Sequence, residues 1–103
     1  MRHAAPIALL ACMASSAALA QDAQALYVKS LAATCANCHG TNGKTVEGSA
    51  VPPLAGVSAS HITEQMQAFK AGTRPATVMH QIAKGYNDAQ IAQIAAYFAA
   101  QKR

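Results

Sequence analysis

Cys35-Ala36-Asn37-Cys38-His39 is the stretch around which the rest of the chain is organised. Two thiols three positions apart, followed at once by a histidine, form the attachment pattern for a c-type haem. On a helical turn, residues i and i+3 share one face. Cys35 and Cys38 can therefore both reach the vinyl groups of one porphyrin and form thioethers. His39 then offers its imidazole to the iron as the proximal ligand.

Other chemistries fit these five residues less well. A structural zinc site needs four ligands, commonly two cysteine pairs. Beyond residue 20 the chain has only Cys35 and Cys38, so zinc would have to recruit histidines at unusual spacing. A thioredoxin-like redox pair belongs near a βαβ pattern, and no stretch here is strand-rich. A structural disulfide across a two-residue gap is rarer still.

Residues 1–20 point to export. Arg2 and His3 give a short basic start, Ile7 to Met13 is apolar, and Ala18-Leu19-Ala20 fits a small-x-small cleavage site. This is the composition of a secretory signal peptide, with Gln21 as the new N-terminus. A membrane anchor wants about 20 predominantly apolar residues, whereas Ser15 and Ser16 interrupt a shorter run. No membrane span is expected. Leu9-Leu10-Ala11-Cys12 loosely resembles a lipoprotein signal, so lipid anchoring through Cys12 is a minor alternative. Covalent haem attachment takes place outside the bacterial cytoplasmic membrane, so motif and leader agree on a periplasmic location.

The expected mature chain, residues 21–103, is one small domain. Chains of that size bury a limited share of their surface and usually need a staple. Haem would serve as staple and as much of the core, because many of the apolar residues are alanine. Seven basic side chains (Lys29, Lys44, Lys70, Arg74, Lys84, Lys102, Arg103) face four acidic ones (Asp22, Glu47, Glu64, Asp88), a net of +3. A weak positive excess favours docking on an acidic partner. It is too small and scattered for nucleic acid, and no aromatic-basic interleaving is present.

The pattern along the chain is helix, loop, helix, helix, without strands, repeats or a domain linker. A first helix is expected over about 22–33, with Leu26 or Tyr27, Leu31 and nearby Val28 on its apolar face. Gly40 to Gly56 has loop composition, and Pro52-Pro53 stiffens it. A second helix is expected over about 60–71, capped by Ser58 or Ser60, with Glu64 in its first turn and Ile62, Met66 and Phe69 as its stripe. A short helix over 78–84 and a last one over 88–101 follow. Asn87 is the N-cap of the last, Ile91, Ile94, Ala95 and Phe98 form its inner stripe, and Tyr97 reaches in from the edge.

The second axial position selects the function. Electron transfer wants six-coordinate iron, and a methionine thioether raises the potential relative to a second imidazole. The candidates are Met66, Met79, His61 and His80. Met66 belongs to an apolar helix stripe, where a core role is expected. Met79 follows a Pro-containing loop, 40 residues after His39, with enough chain between them to wrap the haem. Met79 is the expected sixth ligand, His80 a partly exposed helix residue and His61 a surface side chain. Metal-bound imidazoles usually donate their other N–H to an acceptor that fixes the tautomer. The Pro52 carbonyl, held in a stiffened loop, is the expected acceptor, the alternative being that Pro52 only breaks the loop.

At this point the chain resembles the class I mono-haem c-type cytochromes. The resemblance rests on Cys35-Ala36-Asn37-Cys38-His39-Gly40, Gly43, Pro52-Pro53-Leu54-Ala55-Gly56, Phe69-Lys70-Ala71-Gly72-Thr73-Arg74, Thr77-Val78-Met79 and Ala95-Ala96-Tyr97-Phe98. Pro-x-Leu-Ala-Gly and Gly-x-Arg are most similar to the haem subunit of flavocytochrome c sulfide dehydrogenase and related periplasmic carriers. The resemblance implies an all-α fold, a small cytochrome c domain of three to five helices wrapped around one covalently attached haem c. It also implies His39/Met79 ligation, a Pro52 carbonyl behind His39, and packing of the first helix on the last through Tyr97. Leu31 stands where many members carry an aromatic residue, and Tyr27 where many carry glycine.

The expected function is periplasmic one-electron transfer with no bond-making chemistry on a substrate. The alternative is the haem subunit of a larger oxidoreductase, such as a flavocytochrome c sulfide dehydrogenase. Redox proteins are the expected partners, among them a flavoprotein or a terminal oxidase or reductase. A haem sensor or peroxidase would require that Met79 leave the iron open.

Overall fold

The computed structural model describes the backbone from Ala4 to Arg103 and side chains from Ser15 onward. Arg2, His3 and the Cys12 side chain, on which parts of the export reading depend, lie outside the described residues. Five α-helices follow one another: α1 (Ala4–Ala33), α2 (Ala36–His39), α3 (Ala59–Ala71), α4 (Met79–Ala83) and α5 (Asp88–Ala99), with a 3₁₀ turn at Thr41–Gly43 between α2 and α3. Among the described residues there is no strand. The architecture is the small all-α one expected.

α5 is the spine of the core. Ile91, Ile94, Ala95 and Phe98 fall at helical spacing and are all buried. Its start is fixed locally, because the Asn87 side chain accepts from the Gln90 N–H at 2.8 Å while the Gln90 side chain accepts from the Asn87 N–H at 2.9 Å. That reciprocal capping box satisfies two donors that the helix itself leaves open. α3 lays Ile62 and Met66 on the same core. Ser58 caps it by accepting from the His61 N–H, and Gly72 closes it in the left-handed conformation. α3 begins at Ala59, so Glu64 lies beyond its first turn, a turn later than expected.

α1 differs most from expectation. It runs unbroken from Ala4, and its described residues from Ser15 to Tyr27 are exposed. Leu26, 68% exposed, and Tyr27, 42% exposed, do not form the inner face. Ala32 does, buried in the core cluster with Leu31 and Cys35 packed beside it. α1 packs on α5, and at Ala32 a small side chain lets the two backbones approach. Tyr27 instead accepts a hydrogen bond from Gln90 Nε2 at 3.1 Å across the crossing.

The long loop is pinned at Gly43. Its carbonyl accepts from the N–H groups of Leu54 and Ala55, at 2.9 and 3.1 Å. Its φ is +75°, and an added Cβ would come within 2.9 Å of Leu54, Ala55 and the Phe98 ring. Glycine is therefore required twice over, by the turn and by the close approach. The consequence for function is positional: the segment after the cysteine pair is clamped to the segment that contains Pro52.

Candidate haem site

The attachment pentapeptide folds as a single helical turn. The Cys35 carbonyl accepts from both the Cys38 N–H and the His39 N–H, at 3.4 and 2.9 Å. Cys35 and Cys38 are free thiols, one half-buried and one exposed, and both open into the same cavity. Burial pushes the Cys35 thiol up from its ordinary value, opposed by a weak contact with Thr34 Oγ1 at 3.9 Å. His39 closes the turn. Its Nδ1 lies 2.8 Å from the Pro52 carbonyl oxygen. A carbonyl can only accept, so Nδ1 carries the proton and Nε2 is left with its lone pair.

The cavity has a volume of about 490 Å³, within the range of cofactor clefts. Cys35, Cys38, His39 and Pro52 form one wall, and Val78, Met79 and Ile82 contribute from α4 and the residue before it. Ile94 and Phe98 reach it from α5, Ile62 and Met66 from α3. Met79 is half-buried at the first position of α4, and Met66 is buried in the α3 stripe. His61 is exposed at the cavity rim. His80 does not line the cavity. It is half-buried, with an Nδ1 that has no hydrogen-bond partner among the described residues.

Two contacts that the sequence reading did not anticipate tie the attachment turn to the far side. The Thr34 hydroxyl donates to the Leu31 carbonyl at 2.7 Å and lies 2.6 Å from the Tyr86 hydroxyl. With its one proton committed, Thr34 accepts from Tyr86. Lys70 Nζ donates to the Tyr86 carbonyl at 2.6 Å and sits 3.7 Å from Asp88. Tyr86 thus brackets the cavity beside Cys35. Its only sequence signal is an aromatic residue between two turn formers, Gly85 and Asn87. On the opposite flank the Tyr97 hydroxyl donates to Asn42 Oδ1 at 2.7 Å, joining α5 to the turn after His39.

These residues fit an iron porphyrin. The cavity is lined mainly by apolar groups, in a domain whose own core is rich in alanine. Two thiols on one helical turn are available for thioether bonds, and one imidazole has its second nitrogen already occupied. Among the described residues no group of three or more His, Cys, Asp or Glu could hold a bare metal ion.

Comparison with known proteins agrees with the fold and the cavity. The cytochrome c family model matches residues 20–102. The chain is 43% identical over 68 residues to the cytochrome subunit of sulfide dehydrogenase of Chlorobaculum tepidum, covering 66% of this chain and 60% of that protein. It is 38% identical over 72 residues to cytochrome c-554(548) of Halomonas halodenitrificans, covering 67% of this chain and 86% of the relative. Cytochrome c4 of Pseudomonas aeruginosa is 39% identical over 83 residues, 81% of this chain but 40% of its own length. Some relatives are therefore well over the matched length, while one is nearly coextensive with it. A match over residues 20–102, on a fold whose helices α2 to α5 all line an apolar cavity, means that the chain belongs to the cytochrome c family, as a class I electron-transfer cytochrome that carries one covalently bound haem c.

Proposed function

We propose that the protein is a periplasmic one-electron carrier whose haem is tethered by Cys35 and Cys38 and held axially by His39 and Met79. When bound, the haem supplies a one-electron couple between ferric and ferrous iron. The chain does the rest. Pro52 fixes the His39 tautomer and ring plane, so Nε2 is presented in one orientation. Ile62, Met66, Ile94 and Phe98 keep water from the cavity floor. In this reading the chain passes electrons and carries out no bond-making chemistry on a substrate.

The observation that carries this reading is the convergence of both thiols, the His39 imidazole hydrogen-bonded to Pro52, and Met79 on a single cavity. Potentiometric titration of the exported protein tests it. A one-electron couple, a sulfur-to-iron charge-transfer band in the ferric form and slow carbon monoxide binding in the ferrous form are expected. Rapid, tight carbon monoxide binding would overturn Met79 ligation in favour of a sensor or peroxidase.

Residues 1–20 are read as a leader cleaved after Ala20. The exposure of Ser15 to Tyr27 supports access by a peptidase, and among the described residues no helix is long and apolar enough to cross a membrane. The mass of the secreted protein separates cleavage before Gln21 from acylation at Cys12.

A second reading, the haem subunit of a larger oxidoreductase, draws support from the relative named as a cytochrome subunit of sulfide dehydrogenase. The exposed apolar side chains Val46, Val78 and Ile82 would suit a permanent interface. Purification from the native host distinguishes them, since a stoichiometric flavoprotein complex supports the subunit and a monomer the free carrier.

A further inference from the structure

Asn42-Gly43 lies in the turn just after His39, and the carrier reading gives the Asn42 carboxamide no chemistry. Asn42 has φ 55° and ψ 27°, and Gly43 follows at φ +75°. Two successive left-handed residues select such a pair, since glycine has no Cβ and asparagine is among the few side chains that tolerate the region.

The pair that suits the turn is chemically vulnerable. An asparagine Cγ can be attacked by the backbone nitrogen of the next residue, and glycine leaves that nitrogen unhindered. Asn37 precedes Cys38 and Asn87 precedes Asp88, so residues 42 and 43 are the one Asn-Gly pair in the chain. In the reaction the Gly43 N–H gives its proton to water and its nitrogen bonds to Asn42 Cγ. The carboxamide C–N bond breaks, and ammonia leaves with a proton. Water then opens the five-membered imide at one carbonyl or the other, to give aspartate or isoaspartate. No oxidation or reduction takes place.

The folded turn keeps the reacting atoms apart. Ring closure needs Cγ and the Gly43 nitrogen on the same side of the Asn42 Cα–C bond, and a ψ of 27° puts that nitrogen nearly opposite Cβ. The Gly43 N–H is committed to the Gly40 carbonyl at 3.0 Å, and Asn42 Oδ1 accepts from the Tyr97 hydroxyl at 2.7 Å. Gly43 is buried against Leu54, Ala55 and Phe98, so its peptide turns over only when the loop opens. Phe98 also lines the haem cavity, and a void on its other side weakens that packing.

We propose that Asn42 is a self-modification site, converted to aspartate and isoaspartate by attack of the Gly43 nitrogen while the chain lacks haem, and shielded once the chain has folded around it. The proposal rests on the haem reading of the cavity. Its consequence reaches the iron ligand. Isoaspartate adds one carbon to the main chain between His39 and Gly43. That displaces the Gly43 carbonyl, which holds the Leu54 and Ala55 N–H groups and so the loop that aims Pro52 at His39. A chain left long without haem thus acquires a lesion in the support of its own proximal histidine.

The experiment incubates three proteins in mildly alkaline buffer: parent holoprotein, Y97F holoprotein and the variant with serine at Cys35 and Cys38. A free peptide of residues 40–44 is the reference. Conversion is read by mass, as ammonia exchanged for water, and located by peptide mapping with isoaspartyl methyltransferase labelling. The haem-free variant should convert at nearly the peptide's rate, and the parent at about a tenth of it or less, because only opened molecules react. Y97F should convert about two- to tenfold faster than the parent, the factor that the net worth of one hydrogen bond sets. Thioether-bound haem survives unfolding, so holoprotein can also be aged in denaturant and refolded. Its isoaspartate fraction should have a raised potential, as expected for a weakened Pro52 acceptor, whereas N42D keeps an acceptor for Tyr97 and should stay near the parent. Equal rates in the parent and the haem-free variant would overturn the proposal. So would a haem-free variant unconverted at residue 42 while the peptide reacts. A Y97F rate equal to the parent's would take Tyr97 out of the shield, and an isoaspartate form at the parental potential would overturn the link to His39. A parent exported without covalent haem, seen in its spectrum before incubation, would instead sink the haem reading.

Discussion

His39 Nδ1 and the Pro52 carbonyl oxygen are 2.8 Å apart, and this contact connects the two most distinctive segments of the chain. It exists because Gly43 clamps the loop, through its carbonyl, to Leu54 and Ala55. An N–H that donates to a carbonyl makes the other imidazole nitrogen more electron-rich. A more basic ligand favours ferric over ferrous iron.

Replacing Pro52 by glycine keeps the carbonyl but frees the backbone that aims it. The fold should lose about 1 kcal/mol from the added freedom of the unfolded chain, read by chemical denaturation of the holoprotein. The weakened acceptor should also raise the reduction potential. A P52G variant with parental stability and potential would reduce Pro52 to a loop breaker.

Met66 and Met79 both line the cavity, so exchanging them is the sharpest test of the distal ligand. Met66→Leu conserves volume in a buried helix stripe and should cost less than about 1.5 kcal/mol, with the potential nearly unmoved. Met79→Ala should lower the potential markedly and allow carbon monoxide to bind the ferrous form quickly. If M66L loses the charge-transfer band while M79A retains it, the ligand assignment is reversed.

Much of this was legible because it is local. The stripe on α5 and the Ser58 and Asn87 caps depend on neighbours within one or two turns, and the pentapeptide needs only a single turn. The inner face of α1 was not legible. Leu26 and Tyr27 are apolar enough to belong inside, but which turn of α1 meets α5 depends on where the two helices cross, and there the buried residue is Ala32. The Tyr86–Thr34 contact spans 52 positions and leaves no periodicity to read. The five positions marked by sequence, Cys35, Cys38, His39, Pro52 and Met79, share one cavity.

Without haem, the cavity would be a large void beside an alanine-rich core, and voids lower stability with their volume. A variant with serine at both Cys35 and Cys38 should melt at a lower temperature and less cooperatively than the holoprotein, followed by circular dichroism. In wild-type apoprotein the raised Cys35 pKa adds a pH effect. The folded state holds the thiol proton more tightly than the unfolded chain does. Stability is therefore complete below the ordinary thiol value of 9.0 and declines as pH rises beyond it. Alkylation followed by mass spectrometry should show Cys35 protected relative to the exposed Cys38.

Basic steering of a redox partner is best tested at Lys44. This residue is exposed, and its backbone packs against Gly40, immediately after His39. Lys70 is a poorer probe, because its ammonium holds the Tyr86 carbonyl and neighbours Asp88, so reversing its charge would disturb the cavity wall as well. Lys44→Glu should slow reduction by an acidic partner at low ionic strength and approach the parent rate near 1 M salt, where the screening length falls to about 3 Å. Stopped-flow rates across a salt series give the comparison. A deficit that persists at high salt would mean that Lys44 acts through a packed contact and not through its field, and rates equal to the parent's at every salt concentration would remove Lys44 from the encounter surface.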